Sequence, residues 1–342
     1  MKKKTTVFLV LCLFVVSCNK ENEILERLDE YMKSREAKGY HFGDDLALPK
    51  EVINYADGIE ISFGERKISG TRIDDGYYML GENNITFHIR KKNGGMLYRD
   101  ATVNVYSRRI PESLGYEIVR EYPHDPESFT QGFQIQGDEV YESDGQNGSS
   151  RIWKYKLGSI TPIVQARQED EYFSEGATLV GNKVYQLTWK NRVGFIYDKN
   201  SLKTISKFSY PSVMEEGWGL TYDGESLIAS DGSSRLYFLD PENPTEVKKI
   251  ISVASNTEAH KNINELEYYK GAIYANVWQK PYILKINPEN GEVLAKIDFI
   301  QIAKENTKGV DDVLNGIAFR GENMFITGKN WSKIYEIRTE QK

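Results

Sequence analysis

Cysteine is nearly missing: the 342 residues include two, Cys12 and Cys18. Both lie within the first eighteen positions, so the folded part has no disulfide, no thiol nucleophile and no thiolate-bound zinc. Histidine is scarce as well, at positions 41, 88, 124 and 260, and none forms an HxH or HExxH pair. That gives little support to a transition-metal centre. There is no Gly-x-Ser-x-Gly elbow and no glycine loop of the P-loop or dinucleotide type. An excess of positive charge is also missing. Lys and Arg number 44 against 50 Asp and Glu, a net charge of −6, which argues against a nucleic-acid partner held through phosphates. What remains for chemistry is carboxylate, carboxamide, ammonium and indole. Such a set suits proton transfer on a polar, uncharged substrate group, or binding without chemistry.

The first residues read as a leader. Lys2, Lys3 and Lys4 precede the apolar run Val7–Val16, which is too short to span a bilayer. It ends in Val15-Val16-Ser17-Cys18, which resembles a bacterial lipobox. Residues 1–17 are therefore expected to be a signal peptide cleaved before a lipidated Cys18. The expectation is an exported, membrane-anchored lipoprotein that touches the membrane through this lipid alone. Asn19 after the cysteine favours the outer membrane over the inner one.

Residues 18–43 are polar, with Ile24, Leu25, Leu28, Tyr31 and Met32 at helical spacing. They suggest a short helix in a solvated tether. Residues 44–107 alternate apolar and polar positions in several short runs, such as Ile59–Phe63, Ile85–Ile89 and Thr102–Tyr106, with a hairpin turn at Asn93-Gly94-Gly95. A small immunoglobulin-like β-sandwich without chemistry of its own is expected there. Residues 108–115 read as a linker, and residues 116–342 as the main domain. The 12% aromatic content, with 22 Tyr, favours an all-β chain.

The main domain repeats one local pattern five times: Gln131-Gly132, Glu175-Gly176, Glu216-Gly217, Asn264-Glu265 and Asn315-Gly316. Steps of 41 to 51 residues signal a toroidal or solenoid array. Fourteen residues past each first position lies a second set: Gly145, Trp189, Ser230, Trp278 and Lys329. If the first strand of each repeat runs outward and the second returns, both sets meet on one face. The last repeat stops short of a final strand, and Tyr116–Tyr122 is a strand without a repeat. Pairing the two closes a ring and removes exposed edges. The expected fold is a five-bladed β-propeller. Polar residues at a channel mouth can be merely hydrated, and a Gly after each can serve a tight bend. Three indoles at one mouth, Trp189, Trp218 and Trp278, instead suggest a pocket with flat walls.

Tyr122-Pro-His-Asp-Pro126, Ser128-Phe-Thr-Gln-Gly132, Phe173-Ser-Glu-Gly176, Tyr185–Lys190, Glu216–Tyr222, Asn264–Glu267, Tyr274–Trp278, Leu314–Gly316 and Thr327–Trp331 occur in this order. Together they resemble the glutamine cyclotransferases of the plant and bacterial type, over about Tyr116 to Ile337. The resemblance implies a five-bladed propeller that converts N-terminal glutaminyl residues of peptides to pyroglutamyl and releases ammonia, without a metal. It implies pocket residues Phe129, Gln131, Phe173, Glu175, Trp189, Trp218, Asn264, Trp278 and Lys329. Ser174 departs from the family's usual Gly between aromatic and Glu.

On chemical grounds Glu175 is the candidate proton carrier, with Lys329, Gln131 and Asn264 facing the carboxamide oxygen. Glu216 is the second carboxylate and a candidate for the α-ammonium, and Asn315 completes the first set. No cofactor is required, although a structural Ca²⁺ in the channel fits the same frame. The enzyme is expected to act as a monomer. Two other readings use the same mouth: a non-catalytic propeller lipoprotein that binds a peptide or sugar, and a metal-dependent lactonase-type hydrolase with Glu175 and Glu216 among its ligands.

Overall fold

The computed structural model describes residues 5–341, and the chain divides into two units at Tyr106–Ser107. It is all-β apart from three helices among the described residues.

In the first unit, helix α1 (Thr5–Glu36) and helix α2 (Lys50–Tyr55) precede strands β1 (Ala56–Phe63), β2 (Arg66–Ser69), β3 (Gly81–Lys91) and β4 (Met96–Val105). The strands form one antiparallel sheet in the order β2-β1-β3-β4. The sequence suggested two sheets. Helices replace the second one: α1 packs on β4 and α2, and α2 on β1. Ile24, Leu28 and Met32, one stripe of α1, are buried along with Val52, Ile61, Phe87, Ile89 and Val103. Lys91 binds Glu21 at 2.8 Å and the Arg99 guanidinium grips Asp29. This helix is thus part of the unit's core and not a solvated tether. The signal-peptide and lipidation readings fall on residues 1–4, outside the described residues, and on 5–18, whose side chains are not described. No helix among the described residues is long and apolar enough to cross a membrane.

The second unit begins with β5 (Glu112–Pro123), so the expected linker already contains strand. Four-stranded meanders follow. The first is β6 (Thr130–Gln136), β7 (Glu139–Asp144), β8 (Arg151–Lys156) and β9 (Pro162–Arg167). The second is β10 (Ser174–Val180), β11 (Lys183–Thr188), β12 (Val193–Asp198) and β13 (Thr204–Ser209). The third is β14 (Leu220–Tyr222), β15 (Leu227–Ser230), β16 (Arg235–Leu239) and β17 (Val247–Ser252). The fourth is β18 (Ile263–Tyr269), β19 (Ala272–Val277), β20 (Tyr282–Ile286) and β21 (Val293–Asp298). After helix α3 (Ile300–Asn306) come β22 (Leu314–Arg320), β23 (Asn323–Gly328) and β24 (Lys333–Gln341).

β5 completes the last group. It lies antiparallel to β24, with Tyr122 opposite Ile334 and Tyr116 opposite Thr339. Its first residues, Glu112–Leu114, also run parallel to β21, so these two groups form one eight-stranded sheet. Two-residue turns join the inner pair in four of the five groups, and Asp223–Ser226 joins β14 to β15. At Lys270-Gly271 both φ values are positive, 47° and 77°, as a tight hairpin following the strand twist requires.

The first strands β6, β10, β14, β18 and β22 touch in succession, and β22 returns to β6. The core follows the same circuit. Phe133, Val140 and Trp153 pack with Ala318 and Phe325, Tyr141 and Ile152 with Val184 and Phe195, and Tyr185 and Leu187 with Leu220 and Tyr237. Ile228 and Leu236 pack with Ile273 and Leu284, and Ile283 and Ile297 with Ile317 and Met324. Each core is shared by neighbouring sheets, so each sheet buries its apolar face against the next.

The glycines after the first-set residues mark where inner strands approach one another. A Cβ on Gly132 would strike the backbone nitrogen of Ala177, and one on Gly176 that of Leu220. Close packing of strand backbones, rather than a tight bend, explains these two positions.

Candidate functional site

The inner strands all begin at one end of the circuit, and their first residues meet there. Gln131 lies in β6, Glu175 in β10 and Asn264 in β18, while Trp189, Trp278 and Lys329 follow the ends of β11, β19 and β23. Phe129 and Phe173 precede β6 and β10, and Trp218 precedes β14. These nine residues, with Gln146 and Asp311, line a cavity of about 300 Å³. The Phe173 ring stands edge-on to Phe129 and to Trp189, with centroids 6.0 and 5.6 Å apart. Trp218 and Trp278 cross at 89°.

At the base of the cavity the polar groups are oriented by hydrogen bonds. Asn315 Nδ2 donates to Thr130 O at 2.9 Å and to Gln131 Oε1 at 3.2 Å. Gln131 Nε2 in turn donates to Glu175 Oε1 at 3.1 Å. The Asn315 bond fixes which end of the Gln131 carboxamide faces Glu175. Asn315 therefore stands behind the wall and orients Gln131. Asn264 Oδ1 has no partner within the protein. An unpartnered buried acceptor in a cavity wall is suited to a donor on a bound molecule.

Glu175 is 4% exposed and so is Lys329. Burial raises the Glu175 carboxyl well above its ordinary range; the Lys329 charge opposes this and Glu216 adds to it. Burial also lowers Lys329 to about 8, against the pull of Glu175 and Asp311. The Lys329 ammonium lies 4.6 Å from the centre of the Phe129 ring. The cavity thus holds an acid and a base whose charged forms are both disfavoured, a condition in which protons move readily near neutral pH.

Glu216 does not line this cavity. Its Oε2 accepts from Trp189 Nε1 at 2.6 Å and from Trp218 Nε1 at 2.9 Å, which places it behind two of the indole walls. The sequence assigned it to the substrate; the structure shows it holding the walls that a substrate would touch. Ser174 is fully buried, its N–H donates to Ser150 Oγ at 2.9 Å and its own hydroxyl has no partner. Ser174 pairs with Thr188 and the register then shifts before Ala177, as it does at the equivalent points of β18 and β22, so the departure does not single this strand out.

Three residues were missed by sequence reasoning. Gln146 lines the cavity with φ at 87°, next to Gly145 of the second set. Asp311 lies in the connection between α3 and β22, outside the repeat. Glu265 occupies the place of the missing glycine in the Asn264 repeat. Its oxygens accept from Phe133 N at 3.4 Å and Ile317 N at 2.9 Å, tying three inner strands together. Burial first, then Glu267, raises its pKa well above normal. Among the described residues no group of three His, Cys, Asp or Glu could hold a metal ion.

The second unit is a closed circuit of β-meanders with an aromatic cavity that contains a buried glutamate and a buried lysine. The glutamine cyclotransferase family model matches residues 95–339, and the chain belongs to that family of enzymes. It is 38% identical over 242 residues to the glutaminyl-peptide cyclotransferase of Arabidopsis thaliana, covering 69% of this chain and 73% of that one. The crystal structure of Myxococcus xanthus glutaminyl cyclase is similar with a TM-score of 0.62 and 31% identity, covering 67% of this chain and 98% of that one. Most of the first unit lies outside the family match.

Proposed function

We propose that this chain is a glutaminyl-peptide cyclotransferase whose second unit is a five-bladed β-propeller. The circuit of inner strands and the shared cores support the propeller reading. The reaction takes place within one substrate residue. The neutral α-amine attacks the side-chain carbonyl carbon, the new C–N bond closes a five-membered ring, and the old C–N bond breaks to release ammonia. One proton must leave the amine and one must reach the departing nitrogen, so the net reaction needs neither water nor an oxidant.

Glu175 takes the proton from the amine and returns it to the leaving ammonia. Burial raises its pKa, which favours return of the proton to the leaving nitrogen. Lys329 faces the carbonyl oxygen as negative charge develops there. The unpartnered Asn264 Oδ1 accepts from the substrate amine or carboxamide. The indoles and phenyl rings keep the side chain folded towards its own amine, which supplies proximity. The observation that carries this reading is the Gln131–Glu175 hydrogen bond in an aromatic cavity shared with Lys329.

The protein works as a monomer without a cofactor, and a channel Ca²⁺ would have a structural role only. It is exported and held to a membrane by a lipid on Cys18, a reading supported by the basic leader and the Val-Val-Ser-Cys sequence. Mass spectrometry tests the activity. A peptide with N-terminal Gln should lose one ammonia, and its N-acetylated form should not. Equal loss from both would contradict attack by the α-amine.

A further inference from the structure

The cavity of about 300 Å³ is at the lower end for a ligand site, so it takes one residue and the rest of a peptide must leave across its rim. Asp311 is the carboxylate on that rim. It lines the cavity, yet it is exposed, unlike Glu175. Its position is fixed by its neighbour. The Asp312 carboxylate accepts from Lys308 N at 3.0 Å, Gly309 N at 2.6 Å and Asn330 Nδ2 at 2.9 Å, which pins the loop beside Lys329. Asp311 is not needed to hold its own loop: its carbonyl accepts from Val313 N, and its charge already reaches Lys329.

A second acidic stretch borders the cavity where Gln146 lines it. Asn147 Nδ2 donates to the carbonyls of Asp170 and Glu171 at 3.2 and 3.3 Å, and Asn191 Nδ2 donates to that of Glu171 at 3.3 Å. Both acids are exposed in the loop leading to Phe173. The nearby cations are engaged elsewhere or do not line the cavity. Lys190 stacks on Trp189 at 3.9 Å and approaches Glu216, while Lys308 shares the Asp312 loop but does not line the cavity.

We infer that Asp311 reads the residue following the substrate glutamine and favours a cationic side chain there over an acidic one. This rests on the cyclotransferase reading above and adds a substrate class to it: peptides beginning Gln-Lys or Gln-Arg. The interaction is partly exposed, so it acts over a short range and weakens as salt rises.

The test compares kcat/KM for Gln-Lys, Gln-Ala and Gln-Glu peptides, amidated at the C-terminus, at low and high salt, for wild type and Asp311→Asn. Wild type should prefer Gln-Lys over Gln-Glu, and Asp311→Asn should shrink that ratio roughly three- to fivefold, the scale of a partly exposed ion pair. High salt should shrink the wild-type ratio in the same direction. Gln-Ala serves as the internal reference, because removing the Asp311 charge also acts on Lys329, and the other two peptides are read relative to it. Equal turnover of all three peptides by wild type would overturn the inference and leave the cyclotransferase reading intact. So would an equal loss on all three in Asp311→Asn, because that would mean the residue acts through Lys329. No turnover of any peptide by wild type would remove the activity on which the inference rests, and the inference with it.

Discussion

The indole nitrogen of Trp189 donates to Glu216 Oε2 at 2.6 Å, and this carboxylate oxygen also receives the Trp218 indole. Two walls of the cavity therefore turn on one acceptor. Removing it leaves two indole donors without a partner and frees both rings to rotate.

Glu216→Ala should accordingly raise KM by about tenfold, the scale of one charge-assisted hydrogen bond, with kcat changed much less. Glu216→Gln keeps an acceptor oxygen and should recover most of the loss. Steady-state kinetics on one glutaminyl peptide checks both. A fall in kcat at constant KM in both variants would instead place Glu216 in proton transfer.

The pH profile should report Lys329. Burial lowers its pKa to about 8, so the ammonium that faces the carbonyl oxygen is lost as pH rises through that value. The wild-type kcat/KM should therefore decline above about 8. Lys329→Arg keeps its charge there, so the alkaline decline should vanish even if the rate is lower. A decline at the same pH in Lys329→Arg would assign that limb to another group. The same shift affects stability. The folded state binds fewer protons than the unfolded one between about 8 and the ordinary 10.5, so this group's contribution to stability rises with pH across that window.

A buried histidine–glutamate pair lies where β5 meets the last group of strands. His124 Nε2 lies 2.9 Å from Glu142 Oε1, and its Nδ1 lies 2.7 Å from Trp331 O. Both ring nitrogens face acceptors, an arrangement that suits the doubly protonated ring. Burial disfavours that charge, but Glu142 and the Trp331 carbonyl outweigh it and raise the His124 pKa. Thr130 and Tyr155 complete the bonds to Glu142. His124→Ala leaves a buried carboxylate uncompensated, which should cost about 3–5 kcal/mol. All five Trp lie in the second unit, so tryptophan fluorescence during urea unfolding follows that unit alone. By linkage, the stabilisation from His124 is fully present below its ordinary 6.5 and is lost as pH rises through its raised value. A melt unchanged by the substitution would show that the pair adds nothing to closure.

Why the sequence revealed some of the site and hid the rest can be seen residue by residue. Gln131, Glu175 and Asn264 sit in strands at equivalent places, so a fixed spacing along the chain becomes a fixed place in the ring. Asn315 has the same place in β22, but its carboxamide is turned onto the neighbouring strand. Glu216 shares the spacing but precedes β14, which starts only at Leu220. Without a strand to set its direction, Trp218 faces the cavity and Glu216 lies behind. Asp311 belongs to a connection outside the repeat, and no periodicity could find it. In the first unit, alternation revealed the strands. The stripe Ile24, Leu28 and Met32 was visible as well, and such a stripe needs a partner. Its partner was the sheet, and that pairing is a tertiary fact no local pattern states.

Glu175 bears the central claim. Its buried carboxyl is stabilised in the protonated form, so the folded state binds more protons than the unfolded one above the ordinary 4.5, and this group's contribution to stability declines as pH rises towards its raised pKa. Glu175→Gln keeps the size and a carbonyl oxygen able to accept from Gln131, but cannot carry a proton. The decisive measurement is ammonia release from a glutaminyl dipeptide under single-turnover conditions, wild type against Glu175→Gln, with a melting curve for each. The account predicts a rate lowered by about 10²–10⁴, nearly unchanged substrate affinity and a fold at least as stable as wild type. A variant that releases ammonia at the wild-type rate would contradict it.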